Sequence, residues 1–386
     1  MHKNKILFVI PGYSLGGTTS SLASLLNSEF SDRYDVKVFS INRRSYSHPT
    51  LTAYDIGLDD LTTAFNADYS TFSTIERLKY FPIKLLKQIT PFANCLWKWI
   101  ERKTIRRIES RNHYDYVIAF QEGNTTKFTS HFENPNKIAW IHCDYTMSAG
   151  NTINELEIYK QYKIIVCVSN YTRKSFVAHY PSLGEKTVAI YNLFDAEKII
   201  YNSKANIEDS RFDRSHFTIL SIGRICEVKR FYLIPEIAKK IKLAGLDFRW
   251  YILGGGNKES DLRRLDDAII QNGVENEVLY LGAKANPYPY LKAADLMVST
   301  SKSEACPMVF NEAKLLHVPI LSADFGSSYE FIENEKTGWI CPIEEMAKKI
   351  SEIMSNQKEY LSVKNNLKDF WFDNEPLLKQ IESVLS

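Results

Sequence analysis

Two carboxylates flank the start of a predicted helix in the second half of the chain. Glu304 and Glu312 stand eight residues apart, with Pro307 between them. Pro307 suits the first turn of a helix, because its missing N–H costs nothing there and its φ is already helical. We expect this helix to end near Leu316, since the residue before Pro319 is pushed out of the α region. Carboxylates placed in this way can accept hydrogen bonds from the hydroxyl groups of a ligand.

The start of this helix and two upstream cations predict a phosphate site. Backbone N–H groups and the positive end of a helix dipole attract anions, and the residues concerned here are Cys306, Pro307, Met308 and Val309. Arg224 and Lys229 are five residues apart and follow the apolar run 217–222, so both can lean into one site. Fixed positive groups of this kind stabilise a departing diphosphate.

These motifs occur in an order that resembles the family 4 glycosyltransferases, which have the GT-B fold. Glu304 and Glu312 resemble the family's Glu-x7-Glu signature, and 221–229 resembles its Gly-Arg…Lys segment. Residues 282–287, with the helical pattern that follows them, resemble its base-binding loop. The closing pattern is matched by Gly326, Glu330 and Lys336-Thr337-Gly338. The resemblance covers nearly the whole chain and is strongest from 217 to 343.

The resemblance implies roles for individual residues. Arg224 and Lys229 would hold the donor diphosphate, Glu312 the ribose and Glu304 the donor sugar as a site carboxylate, not a nucleophile. His142 would lie beside the sugar as a fourth catalytic residue, although a lone histidine at a strand end is often only hydrogen-bonded. The further donor-binding residues are Gly16, Gly17, Gly282, Asn286, Cys306, Pro307, Met308 and Val309. Gly16 and Gly17 also fit a plain tight turn.

The pattern of elements predicts an α/β protein. Short apolar runs alternate with helical patterns in two series, which indicates two Rossmann-like doubly wound domains that face a cleft, as the GT-B resemblance implies. We place the domains at 1–200 for the acceptor and 201–369 for the nucleotide sugar, with a polar linker at 203–215 and a last helix at 370–386 that crosses back to the first domain. The predicted strands are 6–10, 35–41, 115–120, 137–141, 163–169, 187–191, 217–222, 248–253, 277–281, 296–300, 319–322 and 339–341.

Residues 75–111 break this alternation. They contain ten basic residues against three acidic ones, interleaved with aromatic and aliphatic residues on a predicted pair of helices. This composition favours binding to an anionic membrane surface. The alternative is a pair of amphipathic helices whose apolar side packs on the sheet.

Composition bounds the remaining classes. The net charge of +2 gives no electrostatic footprint of a nucleic-acid-binding protein. The six cysteines show no C-x-x-C pair and are expected to be reduced core thiols in a cytosol. The sequence starts directly with a strand-like run and has no stretch of about twenty apolar residues. We therefore expect a cytoplasmic protein, with peripheral binding to the inner face of the membrane as an option.

Two cofactor classes are disfavoured. Gly254-Gly255-Gly256 lacks the G-x-G-x-x-G spacing of a dinucleotide fingerprint. It also lies in the second predicted domain and not after the first strand of the chain, so NAD is not expected. No Asp-x-Asp motif or Cys/His ligand spacing is present, so we expect no cofactor and no metal requirement.

The chain departs from the family pattern at Ala305-Cys306 and at Ser327-Ser328. We expect these departures to affect the donor-sugar pocket and to leave the phosphate contacts in place.

The resemblance to family 4 implies a retaining hexosyltransferase. The donor would be a nucleotide-diphosphate sugar, with UDP-sugars favoured, and the acceptor a saccharide or lipid-linked saccharide in bacterial capsule or exopolysaccharide biosynthesis. One alternative is an isomerase like the UDP-N-acetylglucosamine 2-epimerases, in which we would expect more acid and base residues. Another is a non-catalytic nucleotide-sugar-binding partner of a membrane assembly. This alternative is disfavoured by the presence of the complete set Glu304, Glu312, Arg224 and Lys229.

Overall fold

The chain forms two compact α/β units. The computed structural model describes residues 3–13, 16–42, 48–57, 62, 74–87, 90–147, 153–256 and 258–386. The first unit comprises Met1–Leu193 and Glu375–Ser386, and the second comprises Phe194–Asn374. Each unit contains one six-stranded sheet, and every strand pairing in both sheets is parallel. The predicted fold class of two Rossmann-like domains is confirmed.

The first sheet has the strand order β2-β1-β3-β4-β5-β6. Its strands are β1 Lys5–Gly12, β2 Asp35–Asn42, β3 Tyr116–Ala119, β4 Lys137–Ile141, β5 Ile164–Cys167 and β6 Thr187–Ala189. The run from Ile6 to Ile10 is no more than 1% exposed, as expected of a parallel strand covered on both faces. The helices of this unit are Gly17–Leu26, Phe30–Arg33, Pro49–Ala53, Thr74–Lys87, Thr90–Arg111, Asn124–Ser130, Ile153–Lys160, Asn170–His179 and Glu375–Val384, with a 3₁₀ helix at Pro181–Lys186.

The second sheet has the strand order β12-β11-β10-β7-β8-β9. Its strands are β7 Phe217–Ile222, β8 Phe248–Leu253, β9 Val278–Gly282, β10 Leu296–Ser299, β11 Ile320–Ala323 and β12 Gly338–Cys341. The helices are Ala196–Asn202, Ile234–Leu243, Glu259–Asn272, Tyr288–Ala293, Met308–Leu315, Ser328–Phe331, Met346–Ser355 and Gln357–Asn366, with 3₁₀ helices at Phe231–Leu233 and Ile343–Glu345. All twelve predicted strands are present, with bounds that differ by a few residues.

The domain bounds differ from the predicted ones. The second unit begins at Phe194, because the helix Ala196–Asn202 packs against helices of that unit. The predicted linker 203–215 lies inside it as well. Its Asp209 pairs with Lys284 at 2.8 Å, and its Phe212 ring lies 4.5 Å from that of Tyr251. The segment is held within the unit by these contacts of Asp209 and Phe212, so the prediction of a linker was wrong.

The last helix begins at Glu375, later than the predicted residue 370. The preceding Asn374 side chain donates to the carbonyl of Phe194 (2.7 Å) and accepts the Phe194 N–H (3.1 Å), which holds 370–374 in a non-helical conformation. The helix itself belongs to the first unit. There Glu382 pairs with Arg33 at 2.5 Å, and the Leu385 carbonyl accepts a hydrogen bond from Tyr116.

The two helices within 75–111 differ in burial. In Thr90–Arg111, Ile100, Ile105 and Ile108 are at most 3% exposed, and the last two join the core of the first unit. In Thr74–Lys87, Ile75, Leu78, Phe81 and Leu85 are 79%, 75%, 57% and 54% exposed. Residues 88 and 89 of the predicted pair lie outside the described residues. Among the helices described, none has both the length and the apolar character to cross a membrane.

The cysteines only partly follow the expectation of core thiols. Cys167 and Cys341 are buried, whereas Cys95 is exposed on the helix Thr90–Arg111. Cys95 is exposed to solvent, whereas Ile105 and Ile108 of the same helix join the core. All six are free thiols.

Candidate functional site

Three loops meet at the carboxyl edge of the second sheet, where β7, β8 and β9 end. The N–H of Gly223 donates to Leu253 (2.9 Å), and the N–H of Ile225 donates to Gly255 (2.8 Å). A Cβ on Gly254 would lie 1.7 Å from the Gly223 carbonyl oxygen. Gly254 is therefore required for the close approach of two backbones. The glycine at position 254 of the Gly254-Gly255-Gly256 triplet thus has a structural reason that does not involve binding of a dinucleotide.

The loop after β7 and the loop after β10 bring a cation and a carboxylate into contact. We call residues 223–230 the 223–230 loop and residues 300–304 the 300–304 loop. Lys229 forms an ion pair with Glu304, and their side chains are 21% and 16% exposed. The Ser301 hydroxyl donates to the same Glu304 carboxylate at 2.7 Å, and the Ser327 hydroxyl donates to the Glu304 carbonyl at 2.6 Å. This part of the predicted site is thus assembled within one unit.

Arg224 belongs to the same 223–230 loop and is exposed. Within the part of the chain that the structure describes, it pairs with no carboxylate. Its guanidinium therefore keeps its charge available for an anion, while that of Lys229 is shared with Glu304. The two predicted phosphate cations are not equivalent.

Glu312 has a different environment from Glu304. It lies on the helix Met308–Leu315, and its carboxylate accepts a hydrogen bond from the Tyr288 hydroxyl at 3.5 Å. Burial raises the pKa of Glu312 to about 7. Pro307 is the N-cap of this helix, with extended ψ of 98°, so its predicted place in the first helical turn was wrong. The helix starts one residue later because Pro307 supplies the turn into it.

The loop predicted to bind the base, residues 282–287, is held by contacts within its own unit. Gly282 has a φ of 75°, which suits glycine. The Asn286 amide donates to the carbonyl of Asn202 at 2.8 Å, and its oxygen accepts the N–H of Tyr288 at 3.2 Å. Asn286 thereby fixes the start of the helix Tyr288–Ala293. Its predicted contact with the donor remains a prediction.

The predicted residues of the first unit lie at the carboxyl edge of the first sheet. Gly16 caps the helix Gly17–Leu26, with its φ in the extended region; residues 14 and 15 of the predicted turn lie outside the described residues. His142 follows β4, and its ring lies 4.7 Å from that of Phe120. Burial lowers the pKa of His142 to about 3, so its imidazole is neutral at pH 7. Its Nε2 is buried and meets no hydrogen-bond partner among the described residues.

Glu122 is a carboxyl group that the sequence reasoning did not single out. It follows β3, the neighbour of β4, and accepts the backbone N–H of His142 at 2.8 Å. Burial raises the pKa of Glu122, and burial also raises the pKa of the adjacent Cys143 thiol. Its position just after an apolar strand was the available signal, since parallel strands end at one edge. Arg230 gave no comparable signal.

The described residues contain no group of three or more His, Cys, Asp or Glu side chains that could hold a metal ion.

Known proteins resemble this chain in part of its sequence and in its fold. Residues 202–370 match the family model described as glycosyl transferases group 1. An uncharacterized glycosyltransferase of Methanocaldococcus jannaschii is 27% identical over 168 residues, which are 43% of this chain and 41% of that protein. The amylovoran biosynthesis glycosyltransferase AmsK of Erwinia amylovora is 26% identical over 234 residues, 52% of this chain and 56% of AmsK. The chain thus spans about half the length of the curated relatives it matches.

The solved structure of Anabaena HepE in complex with UDP and glucose superposes with a TM-score of 0.74. It covers 99% of both chains at 17% sequence identity, so the likeness concerns the fold. The lipopolysaccharide outer core galactosyltransferase WaaB in its apo form gives a TM-score of 0.64 over 99% of both chains, at 14% identity. The chain therefore has the GT-B fold, and its residues 202–370 match the family model of the glycosyl transferases group 1.

Proposed function

We propose that this chain is a retaining glycosyltransferase of the family 4 type. It moves a hexose from a nucleotide-diphosphate sugar, with UDP-sugars favoured, to a saccharide or lipid-linked saccharide acceptor in surface polysaccharide biosynthesis. The observation that carries the proposal is the assembly of Lys229 and Glu304 in two adjoining loops at the carboxyl edge of the second sheet, with Arg224 on the same loop as Lys229.

The chemistry follows from the charges at this edge. Cleavage of a glycosyl–phosphate bond leaves negative charge on the diphosphate, and fixed positive groups lower the energy of that state. Arg224 offers two parallel N–H donors to phosphate oxygens, and Lys229 offers a compact charge. The N-terminus of the helix Met308–Leu315 adds its dipole. These groups together take the place of a metal ion.

The carboxylates act on hydroxyl groups. Glu304 accepts hydrogen bonds from the donor sugar and steadies positive charge on the ring. It is paired with Lys229, so it serves as a donor-site carboxylate and not as a nucleophile. Glu312 accepts bonds from the ribose hydroxyls in its ionised form. His142 is neutral and offers its unpaired Nε2 to a sugar hydroxyl.

The names of relatives support the substrate class. AmsK is a glycosyltransferase of amylovoran biosynthesis, and the HepE structure contains UDP and glucose. A Campylobacter jejuni relative, 23% identical over 263 residues, is named for transferring N-acetylgalactosamine to a diphospho-undecaprenol acceptor. These properties belong to those proteins and guide the choice of ligands for this one.

A panel of nucleotide-diphosphate sugars tests the proposal. The chain should be stabilised by one donor and should slowly hydrolyse it to the nucleoside diphosphate, because a ligand that binds the folded state raises its apparent stability. Transfer to an added acceptor with retention at the anomeric carbon is the expected full reaction. Conversion of UDP-N-acetylglucosamine to its 2-epimer without an acceptor would favour the isomerase instead. Binding of a donor without hydrolysis, and without transfer to any acceptor tested, would favour a non-catalytic partner.

Metal independence is a separate part of the proposal. Turnover with EDTA should equal turnover in untreated enzyme, because the two cations and the helix N-terminus offset the charge of the leaving group. Activity abolished by EDTA and restored by Mg²⁺ or Mn²⁺ would show this account of the leaving group to be wrong.

We also propose that the helical pair within 75–111 docks on the anionic inner face of the cytoplasmic membrane. Ile75, Leu78, Phe81 and Leu85 recur every three or four residues, so they share one face of the helix Thr74–Lys87, and we call them the apolar stripe. They are all exposed, in contrast to the buried apolar side of the second helix. Exposed basic residues lie beside the stripe and along the second helix, namely Arg77, Lys79, Lys84, Lys98, Arg102, Lys103, Arg106, Arg107 and Arg111. Apolar insertion next to basic charge suits an anionic bilayer.

A further inference from the structure

Arg230 joins the two loops that carry Lys229 and Glu304. Its Nε donates to the carbonyl of Thr300 at 2.8 Å, and its Nη2 donates to the carbonyl of Ser301 at 2.9 Å. The guanidinium therefore spans two successive backbone carbonyls of the 300–304 loop. A planar fork can do this with both N–H groups at once, whereas an ammonium group is a single point charge.

Two further hydrogen bonds connect the same loops. The Thr300 hydroxyl donates to the carbonyl of Lys229 at 2.7 Å, and the backbone N–H of Lys302 donates to the carbonyl of Val228 at 2.8 Å. Ser301, whose carbonyl Arg230 holds, directs its hydroxyl to the Glu304 carboxylate. The contacts of Arg230 thus lead directly to both members of the Lys229–Glu304 ion pair.

The backbone of Arg230 is in a conformation that favours glycine. Its φ of 53° and ψ of 32° lie in the left-handed region, where a side chain is disfavoured. A side chain at this position therefore costs conformational energy that glycine would avoid. The two hydrogen bonds from the guanidinium to backbone carbonyls offset this conformational cost.

We propose that Arg230 is a positioning residue for the donor site. It fixes the 223–230 loop to the 300–304 loop, so that Lys229 and Glu304 meet the donor diphosphate and sugar in one set geometry. The assignment of these two side chains to the donor rests on the proposed function. The cross-link itself rests on the contacts of Arg230 alone.

Arg230→Gly removes the guanidinium and its two carbonyl contacts, while glycine still fits the left-handed backbone at this position. The variant should fold normally, because glycine suits the left-handed backbone, while kcat should fall about tenfold to a hundredfold as the reacting groups lose their alignment. Added guanidinium ion at millimolar concentration should restore part of that loss. Arg230→Lys should lose activity without rescue, since its side chain fills the space. Glu335→Gly is the matched control: Glu335 also has a left-handed backbone, with φ of 63°, and should keep the wild-type kcat.

Hydrogen exchange gives a readout that needs no turnover. The Lys302 amide should exchange faster in Arg230→Gly and Arg230→Lys than in the wild type, and Glu335→Gly should leave it unchanged. Wild-type kcat in Arg230→Gly, or an unchanged Lys302 exchange rate in both variants, would overturn the proposal. If the wild-type chain transfers no sugar, the proposed function fails, and the exchange comparison still decides whether Arg230 ties the loops.

Discussion

The two units differ in the charge of the side chains at the carboxyl edge of their parallel sheets. In the second unit, Lys229 and Glu304 form a partly exposed ion pair, and an exposed Arg224 lies on the same loop as Lys229. In the first unit, burial lowers the pKa of His142 to about 3 and raises the pKa of Glu122, so both groups favour their uncharged forms. Parallel strands that end at one edge fix where ligands bind, but the loop residues decide whether that edge is charged.

This difference indicates that the two edges act on different parts of a ligand. Arg224 and Lys229 at the second-unit edge can offset the charge of a diphosphate, whereas His142 and Glu122 at the first-unit edge exchange hydrogen bonds in their uncharged forms. Loss of charge should therefore matter most in the second unit. The following predictions test that ranking.

The largest effect is expected from the phosphate cations. Arg224→Ala and Lys229→Ala should each lower turnover on the order of 10²- to 10³-fold, because each removes a donor to the developing anion. His142→Ala should cost less, since it removes a neutral group. Steady-state kinetics with the donor found in the panel, on variants with wild-type circular dichroism, measures the three losses. A His142→Ala loss equal to that of Lys229→Ala would break the proposed difference between the units.

The two glutamates should separate nucleotide binding from turnover. Glu312→Ala should weaken binding of the free nucleoside diphosphate by roughly tenfold or more, as expected when ligand hydroxyls lose a charged partner. Glu304→Ala should leave that affinity nearly unchanged and lower turnover of the intact donor. Calorimetry with the free nucleoside diphosphate compares them. Equal losses of affinity in the two variants would contradict the placement of Glu312 on the ribose.

The pKa of Glu312 predicts the pH dependence of binding. Its pKa of about 7 means that the carboxyl is mainly protonated at pH 6 and mainly ionised at pH 8. If the ionised form accepts the ribose hydroxyls, nucleotide affinity should rise with pH by up to about tenfold over this range. Glu312→Gln should remove the dependence. His142 should contribute nothing here, because its pKa lies far below the range. An affinity that falls with rising pH would contradict this account.

The smallest effect per residue is expected at the membrane surface. Neutralising Lys98, Arg102, Arg106 and Arg107 should weaken binding to anionic vesicles by about 1 kcal/mol for each charge, and added salt should do the same. Phe81→Ser in the apolar stripe should weaken binding at every salt concentration. Neutral vesicles serve as the control. Binding that does not respond to salt, or no binding at all, would leave this surface without a membrane role.

Sequence reasoning predicted the strands well and the loop contacts poorly. Apolar runs such as 6–10 and 217–222 are the direct signature of buried parallel strands, so their positions followed from composition. Arg224, Lys229 and Glu304 were singled out by type and spacing, and the structure pairs Lys229 with Glu304. Arg230 was not, because its role depends on how near the 300–304 loop lies, which no local pattern encodes. The polar segment 203–215 was misjudged for the same reason, since its partner Lys284 is distant in sequence.

The proposal that Arg224 and Lys229 hold the donor diphosphate is tested most directly by comparing a nucleoside diphosphate with its nucleoside. Calorimetry at fixed ionic strength, with the nucleotide identified in the panel, gives the affinity gained from the phosphates alone. The wild-type chain should prefer the diphosphate strongly, and this preference should shrink in Arg224→Ala and in Lys229→Ala. A preference that is unchanged in both variants would contradict the account, because the diphosphate would then be held elsewhere.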